Sequence, residues 1–172
     1  SKKDYENAVY HDQFAFHLND KDFDFPAFKE AMLLMTSKHD ILRTVFNLED
    51  FETPVQIVYK GSSLDIEQID IMNFSRTGQV EYINKYLEND RANPFDISKP
   101  LWRIRIFKLD ANHICLVLIF HHAILDGWSV ASLITEVSNL YSKLKQEKDY
   151  IETRLKCSYK DYIAEQMTIK EN

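Results

Sequence analysis

The segment Phe120-His121-His122-Ala123-Ile124-Leu125-Asp126-Gly127-Trp128-Ser129 concentrates the chemically able side chains of this chain. Two adjacent histidines close an apolar run, and a carboxylate followed by a glycine opens what reads as a helix. Consecutive strand residues point to opposite faces, so His121 and His122 cannot share one pocket if the strand runs through both. One would then face a site while the other packs or hydrogen-bonds in the core. The same geometry disfavours a two-histidine metal site, and no other histidine has helpful spacing. A glycine just inside a helix start lets a substrate approach backbone N–H groups, where the helix dipole favours developing negative charge. A histidine beside such a start is the usual pairing for acyl transfer, a base plus an oxyanion stabiliser. The spacing also fits two satisfied core histidines followed by a capped turn, and spacing alone does not separate the two.

Composition removes most other chemistries. The chain has 172 residues, 45% hydrophobic and 28% charged, enough for one domain with a core that needs no disulfide. Its three glycines, Gly61, Gly78 and Gly127, are too far apart for a dinucleotide turn, a phosphate loop or a nucleophile elbow. Cys115 and Cys157 are too distant to form a C-x-x-C pair. A net charge of −6 argues against nucleic acid, which is bound through clustered cations. The longest apolar run, 114–120, is far shorter than the roughly 20 residues of a membrane helix. The polar N-terminal residues hold no signal-peptide core, and they read as a chain entered mid-domain. A reducing cytoplasm and no membrane are therefore the expectation.

Hydrophobic periodicity supplies the elements that must position the histidines. A strand is expected over 10–18, with Phe14, Phe16 and Leu18 on one parity. Pro26 opens a helix to about 39, with Phe28, Ala31, Met32 and Met35 as its buried stripe. The β-rich runs 42–48 and 55–59 flank an acidic turn at Glu49-Asp50, and a further strand covers 65–71. A helix over 76–90, with Val80, Ile83 and Leu87 inward, stops before Pro94. Over 101–109, Trp102, Ile104 and Ile106 alternate with Arg103 and Arg105, which reads as a half-buried strand with a solvated arginine face. The turn at 110–112 returns the chain as an antiparallel strand over 114–122, apolar on both parities and hence central. Val130, Leu133, Ile134, Val137, Leu140, Tyr141 and Leu144 share one helical face, with Asp126 as the expected N-cap. A last helix is expected over about 159–167. The order β-α-β-β-β-α-β-β-α-α implies an α/β (α+β) mixed sheet covered by helices.

His121-His122-Ala123-Ile124-Leu125-Asp126-Gly127 resembles the HHxxxDG signature of nonribosomal peptide synthetase condensation domains. Two further segments extend the resemblance in the family's order. Residues Lys38-His39-Asp40-Ile41-Leu42-Arg43-Thr44-Val45-Phe46 are similar to the RHExLRTxF motif, with Lys for Arg and Asp for Glu. Asn93-Pro94-Phe95-Asp96 with Pro100-Leu101-Trp102-Arg103 resembles the PFD…PLxR segment. The family's opening Ser-Gln motif and its DFGWG motif have no counterpart here. The resemblance thus implies the N-terminal lobe of a chloramphenicol acetyltransferase-like fold over 1–150. Residues 151–172 would then be a helical segment leading toward a C-terminal lobe.

That resemblance implies amide-bond formation between a donor acyl or peptidyl thioester and an acceptor aminoacyl thioester. No cofactor would bind directly. Both substrates would arrive on 4'-phosphopantetheine arms of carrier proteins, with an adenylation domain as neighbour and a C-terminal lobe completing the tunnel. His122 would face the tunnel, as general base or by positioning the amine, and His121 would be structural. Asp126 would hold the loop together, paired with Arg43. Gly127 would admit the donor thioester, and Trp128 would line or back the channel. Another acyltransferase of the superfamily, an epimerisation domain and a non-catalytic carrier-docking lobe are the alternatives. A lobe by itself, with half a tunnel, is expected to be inactive.

Overall fold

The computed structural model describes residues 11–47, 55–58, 64–124 and 130–146. Its main sheet contains β1 (His11–Asn19), β4 (Ile66–Asp70), β5 (Trp102–Lys108) and β6 (His113–His121), in the spatial order β1-β6-β5-β4. β1 and β5 pair antiparallel with β6, whereas β4 runs parallel to β5. The expected mixed sheet is therefore present. β6 is interior, as its apolarity on both parities implied, and every described residue from Ile114 to His121 is buried. β2 (Thr44–Asn47) and β3 (Val55–Val58) form a separate antiparallel pair, in line with the two β-rich runs read from the sequence.

Local chemistry explains the helix starts. Asp24 caps α1 (Phe25–Lys38) by accepting from Ala27 N–H at 3.0 Å, and Pro26 sits in its first turn. Ser75 caps α2 (Arg76–Ala92) through Gly78 N–H at 3.1 Å. Gln79 then donates to the carbonyls of Ile71 and Leu109, tying the start of α2 to the ends of β4 and β5. The third helix, α3 (Val130–Gln146), packs on α1. Its Tyr141 hydroxyl donates to Asp20 Oδ2 at 2.7 Å and accepts from Asp24 N–H, and Lys145 reaches Asp20 Oδ1 at 2.6 Å. These contacts hold α3 against the β1–α1 connection.

The two sheet faces differ in kind. Opposed residues share a face, so Trp102, Ile104 and Ile106 lie with Phe120, Leu118 and Leu116, and with Asp12, Phe14 and Phe16. On that face Trp102 Nε1 donates to the Leu42 carbonyl at 2.8 Å. The other face carries Arg103, Arg105 and Phe107 and lies under α2. Phe107 meets the rings of Tyr82 and Tyr86 edge-on there.

Four sequence expectations need correction. Arg103 and Arg105 do not form a solvated face, because α2 covers them. Arg105 is 7% exposed and donates to the Tyr86 hydroxyl at 2.6 Å and to the Asp65 carbonyl, with Asp65 Oδ1 at 2.9 Å. Val80 is 54% exposed rather than inward, since α2 buries Ile83 and turns its polar caps toward the sheet ends. Leu18 is 40% exposed at the far end of β1. The strand expected from residue 42 begins at Thr44, because Asp40–Arg43 makes a 3-10 turn whose first carbonyl accepts from Thr44 Oγ1 at 2.9 Å. The expected turn at Glu49-Asp50 and the helix over 159–167 lie outside the described residues.

Asp90, near the end of α2, joins three elements. Its Oδ2 lies 2.7 Å from both His11 Nε2 and Gln13 Nε2 on β1, and Arg103 Nε on β5 donates to its Oδ1 at 2.6 Å. Burial pushes the Asp90 carboxyl up, but the His11 and Gln13 hydrogen bonds and the Arg103 charge outweigh it and hold it below its ordinary value. Removing this carboxylate takes the charge partner from the half-buried Arg103 guanidinium and the hydrogen-bond partner from the fully buried His11 side chain. Asp90→Ala is therefore expected to cost about 3–5 kcal/mol of unfolding free energy. Chemical denaturation measures it, and a midpoint equal to the parent's excludes a shared anchoring role.

Candidate active site

Three stretches distant in sequence converge at the C-terminal end of β6. His121 N–H donates to the Leu101 carbonyl at 2.8 Å, which places the start of β5 beside the histidine pair. The His121 ring packs edge-on to Phe95 with centroids 6.4 Å apart. Phe95 also meets the His11 ring at 5.1 Å and the Arg103 guanidinium at 4.4 Å. Asp96 binds back locally, accepting from Ser98 N–H at 3.0 Å and Ser98 Oγ at 2.6 Å, which shapes the turn into β5.

The 38–46 stretch works from the opposite face. Lys38 and His39 both reach Glu136 on α3, His39 Nε2 at 3.0 Å from Oε2. Arg43 is buried and donates from Nη2 to Asp40 Oδ1 at 2.6 Å. Leu42 supplies the carbonyl that holds Trp102. Lys38 and His39 thus tie the end of α1 to α3, while the Leu42 carbonyl ties the same stretch to β5.

The two histidines part company there. His121 ends β6, is 8% exposed, and lies opposite His11 on the α2 face. His122 begins a 3-10 turn, His122–Ile124, and its side chain is 59% exposed. Its Nδ1 lies 2.8 Å from Oδ2 of Asp12, whose own neighbours in register are on the Trp102 face. The pair thus serves two environments, although not by strand alternation: the strand expected through residue 122 ends at His121, and the 3-10 turn that follows carries His122 away from the buried face. Nothing in the sequence singled out Asp12, because its nearness to His122 depends on β1 pairing with a strand about a hundred residues later.

Of the other residues singled out from sequence, Asp126, Gly127 and Trp128 lie outside the described residues, and so does any contact of Arg43 with Asp126. Among the described residues no cluster of three or more His, Cys, Asp or Glu side chains forms a metal site. Cys115 is buried on β6, and burial pushes its thiol up to about 11, which leaves it a protonated core residue. No described helix is long and apolar enough to cross a membrane.

A mixed four-stranded sheet with α2 on one face, a packed α1–α3 pair, and a histidine pair at the end of its central strand is a chloramphenicol acetyltransferase-like lobe. The starter condensation domain of rhizomide synthetase superposes with a TM-score of 0.72 at 16% identity, covering 84% of this chain and 36% of that one. The first condensation domain of the calcium-dependent antibiotic synthetase gives 0.69 at 19% identity, covering 84% and 36%. The family model for the Condensation domain matches residues 1–172, and the chain belongs to that family. The match is to its N-terminal portion. Surfactin synthase subunit 3 of Bacillus subtilis (strain 168) is 35% identical over 136 residues, 78% of this chain and 11% of the relative. Bacitracin synthase 1 of Bacillus licheniformis is 31% identical over 138 residues, 78% of this chain and 3% of the relative. The chain therefore spans about a tenth or less of the length of these relatives.

The burial of His121 has a pH consequence. Desolvation, with the nearby His11 and His122 and against the opposing pull of Asp12, lowers its pKa from the ordinary value near 6.5. The folded chain then binds this proton less readily than the unfolded chain. The stability it supports is complete above about pH 6.5 and is lost as the pH falls from there to the lowered folded value. Asp90 adds its own loss only lower, as the pH falls below the ordinary carboxyl value near 3.9. Thermal midpoints across pH 8 to 4 are expected to show the first loss in the parent and a smaller one in His121→Gln. Identical profiles would remove His121 as the cause.

Proposed function

We propose that this chain is the histidine-bearing lobe of a condensing enzyme that joins two carrier-bound thioesters through an amide bond. The observation that carries the reading is the exposed His122 ring beside a buried His121, in a chain matching the condensation family along its whole length. The acceptor's α-amine attacks the donor thioester carbonyl, the tetrahedral intermediate collapses, and the carrier thiol leaves. An α-amine has a pKa near 8, so an appreciable fraction is already neutral at pH 7. The proton needs to depart only once the C–N bond forms. His122 takes it at Nε2 and can pass it to the departing thiolate, so charge and atoms balance.

The remaining roles follow the family pattern. Asp126 holds the loop after His122, with Arg43 as its partner across the core. Gly127 leaves room for the donor thioester at the helix start, where backbone N–H groups meet the developing oxyanion. Trp128 lines or backs the channel. No cofactor binds the lobe itself; donor and acceptor arrive on 4'-phosphopantetheine arms of carrier proteins loaded by an adenylation domain. A C-terminal lobe closes the tunnel, and the reaction takes place in the cytoplasm.

In a synthetase containing this segment, His122→Ala is expected to lower single-turnover amide formation between two loaded carriers by about 10²-fold or more. The estimate sits toward the lower part of the range for acid–base residues because the amine supplies much of its own nucleophilicity. Parental turnover in that variant overturns the assignment.

A further inference from the structure

We propose that Asp12 is a positioning residue for His122, fixing which ring nitrogen carries the proton and where the other one points. The inference rests on the reading of His122 as the group that takes up the amine proton. Asp12 stands opposite Phe120 in the β1–β6 register, which makes it the diagonal neighbour of the residue two further on. Its Oδ2 lies 2.8 Å from His122 Nδ1. An ionised carboxylate only accepts hydrogen bonds, so Nδ1 is the protonated nitrogen of the neutral ring and Nε2 carries the lone pair. Base function needs that tautomer if Nε2 is to receive the proton.

The carboxylate is delivered from a rigid element. His11 and Gln13, on either side of Asp12, both bind Asp90 on the opposite face of β1. The backbone of Asp12 is therefore pinned from behind while its side chain reaches around the end of β6 to His122. Such backing is what holds a functional side chain within a few tenths of an ångström of its working place.

The pair is also partly solvated, with 34% of the Asp12 side chain and 59% of the His122 side chain exposed. Exposed ion pairs contribute little to folding. A structural role would therefore be slight, whereas a role in setting the tautomer would be read directly in catalysis. The effect is expected to be smaller than the ~10⁴-fold loss seen when a buried triad aspartate is neutralised, because water can partly replace Asp12 here.

The test has two arms. In the 172-residue chain, ¹⁵N–¹H correlation spectra of the imidazole nitrogens, recorded above the end of the His122 titration, report its tautomer. The expected result is an Nδ1–H ring in the parent and a shift toward Nε2–H in Asp12→Ala, with the thermal midpoint unchanged. In a synthetase containing this segment, Asp12→Ala is expected to lower kcat about tenfold with KM for the loaded acceptor carrier retained, and Asp12→Glu to restore part of the loss. An Nε2–H ring in the parent, or a parental kcat in Asp12→Ala, overturns the inference. Parental turnover in His122→Ala would instead remove the base reading, while the spectra still decide whether Asp12 sets the tautomer.

Discussion

A single buried carboxylate organises this lobe. Asp90 has little solvent of its own, so it is tolerated only because His11, Gln13 and Arg103 surround it. Those partners come from two strands that are not neighbours in the sheet, with β6 between them. The network therefore clamps α2 across β1, β6 and β5 at once, at the end of the sheet where β6 terminates. Burying a charge is costly, and any rearrangement of β1 against β6 breaks part of the shell that offsets the cost. The register that brings Asp12 to His122 is thus guarded by an ion-pair network on the opposite face.

The same logic explains why motif residues far from the histidine pair belong with it. Phe95 fills the space among His11, His121 and Arg103, so its aromatic face is shared by two rings and a cation. Lys38 and His39 reach α3 through Glu136, and the Leu42 carbonyl takes the Trp102 indole hydrogen. One set builds the α2 side of the sheet end and the other builds the opposite side. Between them His121 is drawn into the core and His122 is left facing outward. A surface histidine held by rigid surroundings suits acid–base work better than one on a mobile loop.

Sequence periodicity located the secondary structure with few errors, and the errors share a cause. Arg103 and Arg105 alternate with apolar residues, which ordinarily marks a solvated strand face. Here α2 lies over that face, and Tyr86, Asp65 and Asp90 satisfy the guanidinium groups as it does so. Val80 matched the helical stripe, yet only the docking of α2 decides which residues of a weakly amphipathic helix turn inward. Leu42 and Arg43 read as part of the β-rich run that follows them, but they belong to a 3-10 turn that buries both before the strand begins. In each case the local pattern was right about hydrophobicity and silent about what packs against it.

By itself the sequence determined the class of fold, the central apolar strand, and the histidine pair with its flanking motifs, because these depend on residue type and short spacing. Alternation would part the two histidines only if the strand ran through both, and it stops at His121, so their separation was set by the 3-10 turn that begins at His122. Which histidine is buried followed from β5 meeting His121 and from Phe95 and His11 closing over its ring. The partner of His122 was decided by tertiary structure alone. Asp12 and His122 are 110 residues apart, and no local rule connects them. Only antiparallel pairing of β1 with β6, in a register held by buried charge on the other face, sets a carboxylate at that imidazole.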